Sequence, residues 1–324
     1  WSARAWDIPS RLILAWPILY FLLSLKLDQL KQVSHFAVVG AWWAFIASAY
    51  QAGLNEDGRA STYFMHPTSF GNLVWILSIL CWGAYEGSWR QRVWALSGVL
   101  AGMLAAYGSG TRAAWLAIIV SAMLAIAWQR AISQRMKYAV TLLLLALVLS
   151  TYFSVASVRE RVNLGWYELT QELAEVADTS VGLRRQYWWA SMQMIQDHPL
   201  VGVGRFQFAK EKDRLVDAGV LTQAAKQYEH PHNELLFAWS ELGVLGLLGV
   251  LLLYLVPGYF FWQQGRSEHR LIRHWALMGS MVVVSYMVFG MVDVMLMAWV
   301  MQVPVYVLSV ALPMAVILIR KRQR

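Results

Sequence analysis

Two histidines, an amide and two carboxylates fall within six residues, Glu229-His230-Pro231-His232-Asn233-Glu234, directly before the apolar run LLFAWSELGVLGLLGVLLLYLV. A polar cluster at the mouth of a long apolar helix needs partners or a purpose, because burying unpaired polar groups is costly. Histidine takes a proton close to neutral pH, so His232 is a candidate general base. Asn233, Glu229 or Glu234 could orient its ring. Pro231 fixes the chain between the histidines and turns one ring away from the other, which leaves His230 as a neighbour without a role of its own. Zinc binding would use the same ligand types, but the spacing matches no recognised site. Simple capping of the helix is the bland alternative.

Arginines supply the complementary chemistry. Arg112 follows Gly108-Ser109-Gly110-Thr111 and opens the apolar segment AAWLAIIVSAM. Thr111 or Ser109 could cap that helix, and the guanidinium could give two parallel hydrogen bonds to a phosphate. The competing reading is an arginine that snorkels to lipid headgroups. Arg184 and Arg185 start a Trp-rich stretch in which Trp188 lies one helical turn after Arg184. Two separated arginines on one membrane face suit a pyrophosphate or another polyanionic head; alone, each is an ordinary interfacial residue. Arg59 with His66-Pro67 forms a weaker polar group that could line an acceptor or glycan cavity, although loop polarity alone explains it. Glu241 could pair with an arginine in the helical bundle, and Asp293 is placed to mark the outer turn between the last two spans. Gly202-Val203-Gly204 is no nucleotide loop, since neither a strand nor a phosphate-loop pattern accompanies it. Serine-elbow, HExxH and ATP-site patterns are absent from the sequence.

The elements that must hold these groups are helices in a membrane. Of 324 residues, 58% are hydrophobic and 14% charged, with mean hydropathy +0.45, too apolar for an ordinary soluble domain. Eighteen tryptophans and fourteen tyrosines suit interfacial anchoring. A net charge of +8 does not require a nucleic acid, because the surplus sits in short links between apolar segments. A single cysteine, Cys81, excludes an intramolecular disulfide. The sequence therefore predicts an all-α polytopic membrane protein with nine spans, at 11–27, 34–52, 69–85, 93–107, 112–128, 138–156, 234–261, 274–292 and 294–319. Pro17, Pro304 and Pro313 are possible kinks.

Basic links at 26–33, 86–92, 129–137 and 262–273 fall on the side of the terminal RKRQR, which the positive-inside rule makes cytoplasmic. The one long polar segment, 157–233, then lies outside. It divides the chain into an N-terminal bundle (1–156), a helical periplasmic loop (157–233) and a C-terminal bundle with a basic tail (234–324). Helical patterns occupy 159–177, 184–197 and 205–217, with Trp188, Met192 and Ile195 on one stripe of the second; these helices are expected at the membrane surface as a lid. Starting at Trp1, outside, and without methionine, the chain is expected to lack an N-terminal segment.

Three stretches, GSGTRAAWLAIIVSAM, RRQYWWASMQMIQDHPLVGVGRFQF and HPHNELLFAWSELGVLGLLG, resemble in order and spacing the bacterial O-antigen ligase family, a group that includes O-antigen polymerases and protein O-oligosaccharyltransferases. The likeness runs from about 59 to 292. It implies about twelve spans in a full-length protein of GT-C-like type, in the bacterial inner membrane. It further implies an inverting, metal-independent transferase without a cofactor. The donor would be a glycan on undecaprenyl pyrophosphate, and the acceptor a hydroxyl of lipid A-core on the periplasmic face. By motif position, Arg112 and Arg184 would bind pyrophosphate, Arg185 being a substitute, and His232 would be the catalytic histidine. A polysaccharide or lipid transporter is the alternative of another class, but the internal symmetry expected of one is missing.

Overall fold

The computed structural model describes residues 7–53, 66–130, 133–154, 156–171, 173–298 and 302–323. The described chain is α-helical. Its N-terminal helices are α1 (Asp7–Ile13), α2 (Ala15–Ser24), α3 (Leu27–Ala52), α4 (Pro67–Cys81, continued by a 3-10 turn at Trp82–Tyr85), α5 (Trp89–Gly108), α6 (Arg112–Trp128) and α7 (Gln134–Ser154). The long polar segment contains α8 (Ala156–Thr170), α9 (Leu173–Val176), α10 (Ser180–Asp197) and α11 (Phe208–Asp217). Three long helices follow, α12 (Glu234–Gln264), α13 (Arg270–Val292) and α14 (Gln302–Arg322).

Five described helices are long and apolar enough to cross a membrane: Leu27–Ala52, Pro67–Tyr85, Glu234–Gln264, Arg270–Val292 and Gln302–Arg322. This supports a multipass membrane protein but corrects the expected nine spans. Ser10–Ser24 and Arg112–Trp128 are apolar but short, against the roughly 20 residues that a hydrocarbon core demands. The stretches expected as spans four and six are the helices α5 and α7, and neither is among the five; α5 carries two arginines in its first turn, Trp89-Arg90-Gln91-Arg92. Pro17 does not kink a continuous first span. The helix breaks at Leu14, and Pro17 sits in the first turn of α2, where a proline costs little. Pro304 likewise falls in the first turn of α14, which continues through Pro313.

The described chain forms two compact units. The first comprises 1–125, 252–289 and 299–324; the second comprises 126–251 and 290–298. In the first, α3, α4 and α5 pack together through small residues. A Cβ on Gly102 of α5 would stand 2.0 Å from Ser78 Oγ of α4, so only glycine permits that approach. Trp75 Nε1 donates to Ser285 Oγ at 2.9 Å, tying α4 to α13 through a buried polar pair.

In the second unit, α10 is the central helix of the long segment. Thr179 caps it, accepting from Gly182 N at 3.1 Å. Its buried face is Leu183, Gln186, Tyr187, Ala190, Ser191, Met194 and Ile195. The expected stripe of Trp188, Met192 and Ile195 is therefore corrected: Trp188 and Met192 sit on the exposed face, one turn apart.

Candidate functional site

The site grows from a weld between two glycine-containing motifs in the second unit. After α10 the chain turns through His198-Pro199-Leu200-Val201-Gly202-Val203-Gly204 and lies against a break in α12 at Gly243, where φ is 65° and ψ is −160°. Val203 N donates to Ser240 O at 2.8 Å and Gly204 N to Glu241 O at 2.9 Å. In return, Val244 N donates to Pro199 O at 3.0 Å. A Cβ on Gly243 would stand 2.1 Å from Leu200 O, and one on Gly202 (φ 68°) 2.4 Å from the Glu241 carbonyl carbon. Both positions demand glycine for conformation and for space. The buried Glu241 carboxylate accepts from Arg205 Nη1, and Arg205 Nη2 donates to Met297 O at 2.7 Å. Glu241 thus pairs with an arginine, but one from the polar segment and not from the bundle expected to supply it, and Arg205 ties the weld to the 290–298 segment.

On this base sits the HPHN turn. Asn233 caps α12, its Oδ1 accepting from Leu236 N at 3.0 Å. It therefore does not orient the imidazole. Trp188 Nε1 donates to Pro231 O at 3.0 Å, holding the turn against α10. His232 has φ of 52°, an uncommon left-handed conformation for a residue other than glycine, and such strain is often found at working sites. Its Nδ1 lies 3.2 Å from Asp293 Oδ1. Asp293, expected only to mark a turn, is thus the carboxylate partner of the ring. Glu234, a candidate for that role, is fully buried and faces elsewhere. Its Oε1 accepts from Leu296 N (2.8 Å) and Met297 N (2.9 Å), and its Oε2 from Met295 N (3.1 Å). Glu229, the third candidate, is exposed.

Electrostatics separate the two histidines. Burial pushes the His230 imidazolium down to about 4, opposed by Asp293 and reinforced by the charges of His232, Arg184 and Lys212. His230 is therefore neutral near pH 7. Burial alone would raise Asp293, but the hydrogen bond with His232 and the charges of His230 and His232 outweigh it and hold the carboxyl below its ordinary value. Asp293 is thus an anion facing the Nδ1 edge of His232. The His230 ring stands edge-to-face with His232 at 4.5 Å, its Nδ1 3.9 Å from Asp293, beyond hydrogen-bond reach. Tyr228 packs on the His232 ring at 4.8 Å and buried Tyr187 at 6.2 Å. Beneath them, fully buried Lys212 donates to Ala225 O and Tyr228 O and lies 5.7 Å from the Tyr187 ring. Composition alone gave no sign of Lys212 as part of this floor, because α11 reads as an ordinary surface helix.

The arginines differ in their surroundings. Arg184 is half-buried, and its charge reaches His230. Arg185 points to the end of α8, donating to Gln171 O at 2.9 Å and Glu168 O at 3.3 Å. Arg112 is an exposed first residue of α6 in the other unit. Before it, Gly110 takes φ of 65°, Thr111 Oγ1 donates to Pro67 O at 3.0 Å, and Ser109 accepts from Thr111 N at 3.2 Å. These hydroxyls fasten the turn to α4. His66 is the N-cap of α4, accepting from Thr68 N at 3.4 Å. Arg59 lies outside the described residues.

His230, His232 and Asp293 present ligand atoms within 4.8 Å of one another, a donor set that could hold a divalent cation. Without one, the same geometry is a histidine with its Nδ1 side occupied by a carboxylate, which leaves Nε2 to exchange a proton.

Residues 96–251 match the family model described as O-Antigen ligase. The matched range holds Arg112, Arg184, Arg185, Trp188, His230, His232 and Asn233, whereas His66 and Asp293 lie outside it. An uncharacterized protein of Haemophilus influenzae is 20% identical over 187 residues, 56% of this chain and 46% of that protein. The chain thus spans less than half the length of this curated relative.

Proposed function

We propose, from the match of residues 96–251 to the O-Antigen ligase family model, that the chain is a lipid-linked glycan transferase of the inner membrane. It would move a glycan from undecaprenyl pyrophosphate to a sugar hydroxyl of lipid A-core on the periplasmic face. The observation that carries this reading is the contact of His232 Nδ1 with the Asp293 carboxylate at 3.2 Å. With Nδ1–H donated to Asp293, Nε2 is the basic nitrogen. It accepts the proton of the attacking hydroxyl as the new bond forms at C1 of the first donor sugar. The C1–oxygen bond breaks with its electron pair leaving on pyrophosphate, and single displacement inverts C1. The anionic Asp293 stabilises the imidazolium that results. Arg184, whose charge reaches His230, is assigned to the pyrophosphate, where charge grows as it leaves; the phosphate role of Arg112 rests on the family resemblance alone. Arg185, with its donors on the end of α8, is the weaker candidate.

A polymerase or a protein O-oligosaccharyltransferase would use the same donor chemistry with another acceptor. Transfer by the purified full-length protein from a defined undecaprenyl-pyrophosphate glycan decides among them, with lipid A-core, a second lipid-linked glycan and a pilin-like protein offered separately. Product on lipid A-core alone is expected; product only on another acceptor would overturn the ligase assignment, and no transfer to any would overturn the enzyme. The His230, His232 and Asp293 donor set favours one second reading, catalysis through a divalent cation. Transfer that stops with a chelator and returns with added metal would support it; transfer indifferent to the chelator supports the base.

A further inference from the structure

In the first compact unit, the ends of several helices border a cavity of about 290 Å³ lined by Glu86, Gly87, Arg92, His269, Arg270 and Leu271. None of these residues takes part in the transfer chemistry. Arg92 is in the first turns of α5, Arg270 opens α13, and both are exposed. Lys31 of α3 adds its ammonium 3.7 Å from Glu86 Oε2. Arg320, in the last turn of α14, donates from Nε to His269 Nε2 at 3.2 Å. Arg92 and Arg270 thus line the cavity with one carboxylate, Glu86, while Lys31 and Arg320 each hold a lining side chain. Two helix N-termini, those of α5 and α13, also begin at this cavity, and their partial positive charge favours an anion.

The position in the fold says what kind of anion. Leu27–Ala52, Pro67–Tyr85, Arg270–Val292 and Gln302–Arg322 are all candidate spans, and the cavity lies beside their ends, the part of a span that meets lipid headgroups. Aromatic rings mark the same level. Trp82 stacks on Tyr85 at 4.9 Å, the Arg92 guanidinium lies 5.6 Å over Tyr85, and Trp89 is exposed. Basic pockets between spans on the cytoplasmic side commonly take phospholipid heads. We propose that this cavity binds the phosphate group of an anionic membrane phospholipid, with Arg92 and Arg270 as the principal donors. Lys31 and Arg320 hold Glu86 and His269 in place around it.

The test is lipid retention by the purified full chain in neutral detergent, read by native mass spectrometry after exposure to phosphatidylglycerol, phosphatidylcholine or inorganic phosphate. Phosphatidylglycerol is expected to be retained over phosphatidylcholine by about tenfold or more. The variant R92Q/R270Q should lose that preference, and R92K/R270K should keep most of it. E86Q removes the carboxylate that opposes the anion, so it should raise phosphatidylglycerol retention severalfold. Equal retention of the two lipids would overturn the proposal, as would an unchanged preference in R92Q/R270Q that elutes like the parent. Inorganic phosphate binding as well as the lipid would identify a free-phosphate site and overturn the lipid assignment. If R92Q/R270Q fails to fold, E86Q decides: no gain in retention by a folded E86Q overturns the proposal.

Discussion

At the scale of single residues, His232 and His230 differ in what their rings meet. His232 meets Asp293, and His230 is half-buried beside it without reaching the carboxylate. D293N keeps the shape of the side chain but removes the anion, so it should fold and bind donor while the transfer rate falls on the order of a hundredfold. Steady-state kinetics with donor saturating would check this; an unchanged rate would remove Asp293 from the mechanism. His230 gives a pH prediction of its own. Its folded-state value of about 4 lies below the ordinary 6.5, so the folded state binds fewer protons than the unfolded one between those values. Its contribution to stability is complete above about pH 6.5 and is lost as pH falls toward 4. Melting of the purified protein should fall from pH 7 to 5, and H230Q should flatten that slope. His232 was singled out in the sequence, and the structure gives it a carboxylate neighbour. The partner of His232 was not legible, because it lies 61 residues away, across the two long apolar helices α12 and α13. The nearer candidates Asn233 and Glu234 do form hydrogen bonds, but with backbone groups.

At the scale of elements, two motifs separated in sequence are one structure. The His198–Gly204 turn and the Glu241-Leu242-Gly243 break exchange backbone hydrogen bonds, and the glycines permit the close approach. G243A would place a Cβ against Leu200 O in a left-handed conformation. It should cost about 1–3 kcal/mol, visible as a lower melting temperature, whereas G249A, with open space at its Cβ, should melt near the parent. Glu234 works on the same scale. Its carboxylate holds Met295, Leu296 and Met297 by their N–H groups and so fixes the segment that carries Asp293. E234Q should lower the transfer rate with donor affinity retained, whereas a purely local cap would lower stability alone. Helix positions in the polar segment followed from periodicity: α10 and α11 lie close to where the sequence puts them. Which face of α10 is buried did not follow, because Trp188 and Met192 are apolar yet exposed, and Trp188 uses its indole N–H on Pro231.

At the scale of the whole molecule, all-α membrane architecture was legible from composition, and the number of spans was not. Hydropathy marks apolar stretches without measuring the unbroken helix, so the short α6 and the divided α1 and α2 were counted as crossings. The O-antigen ligase match covers α6, α10 and the HPHN turn, the three stretches that carry the resemblance, and ends before Asp293. The most direct measurement of the central claim is glycan transfer by purified H232A, supplied with undecaprenyl-pyrophosphate-linked glycan and lipid A-core, beside the parent protein and with donor binding measured in parallel. H232A is expected to fold, bind donor and lose transfer by at least about a hundredfold. Transfer by H232A at the parent rate would contradict the claim.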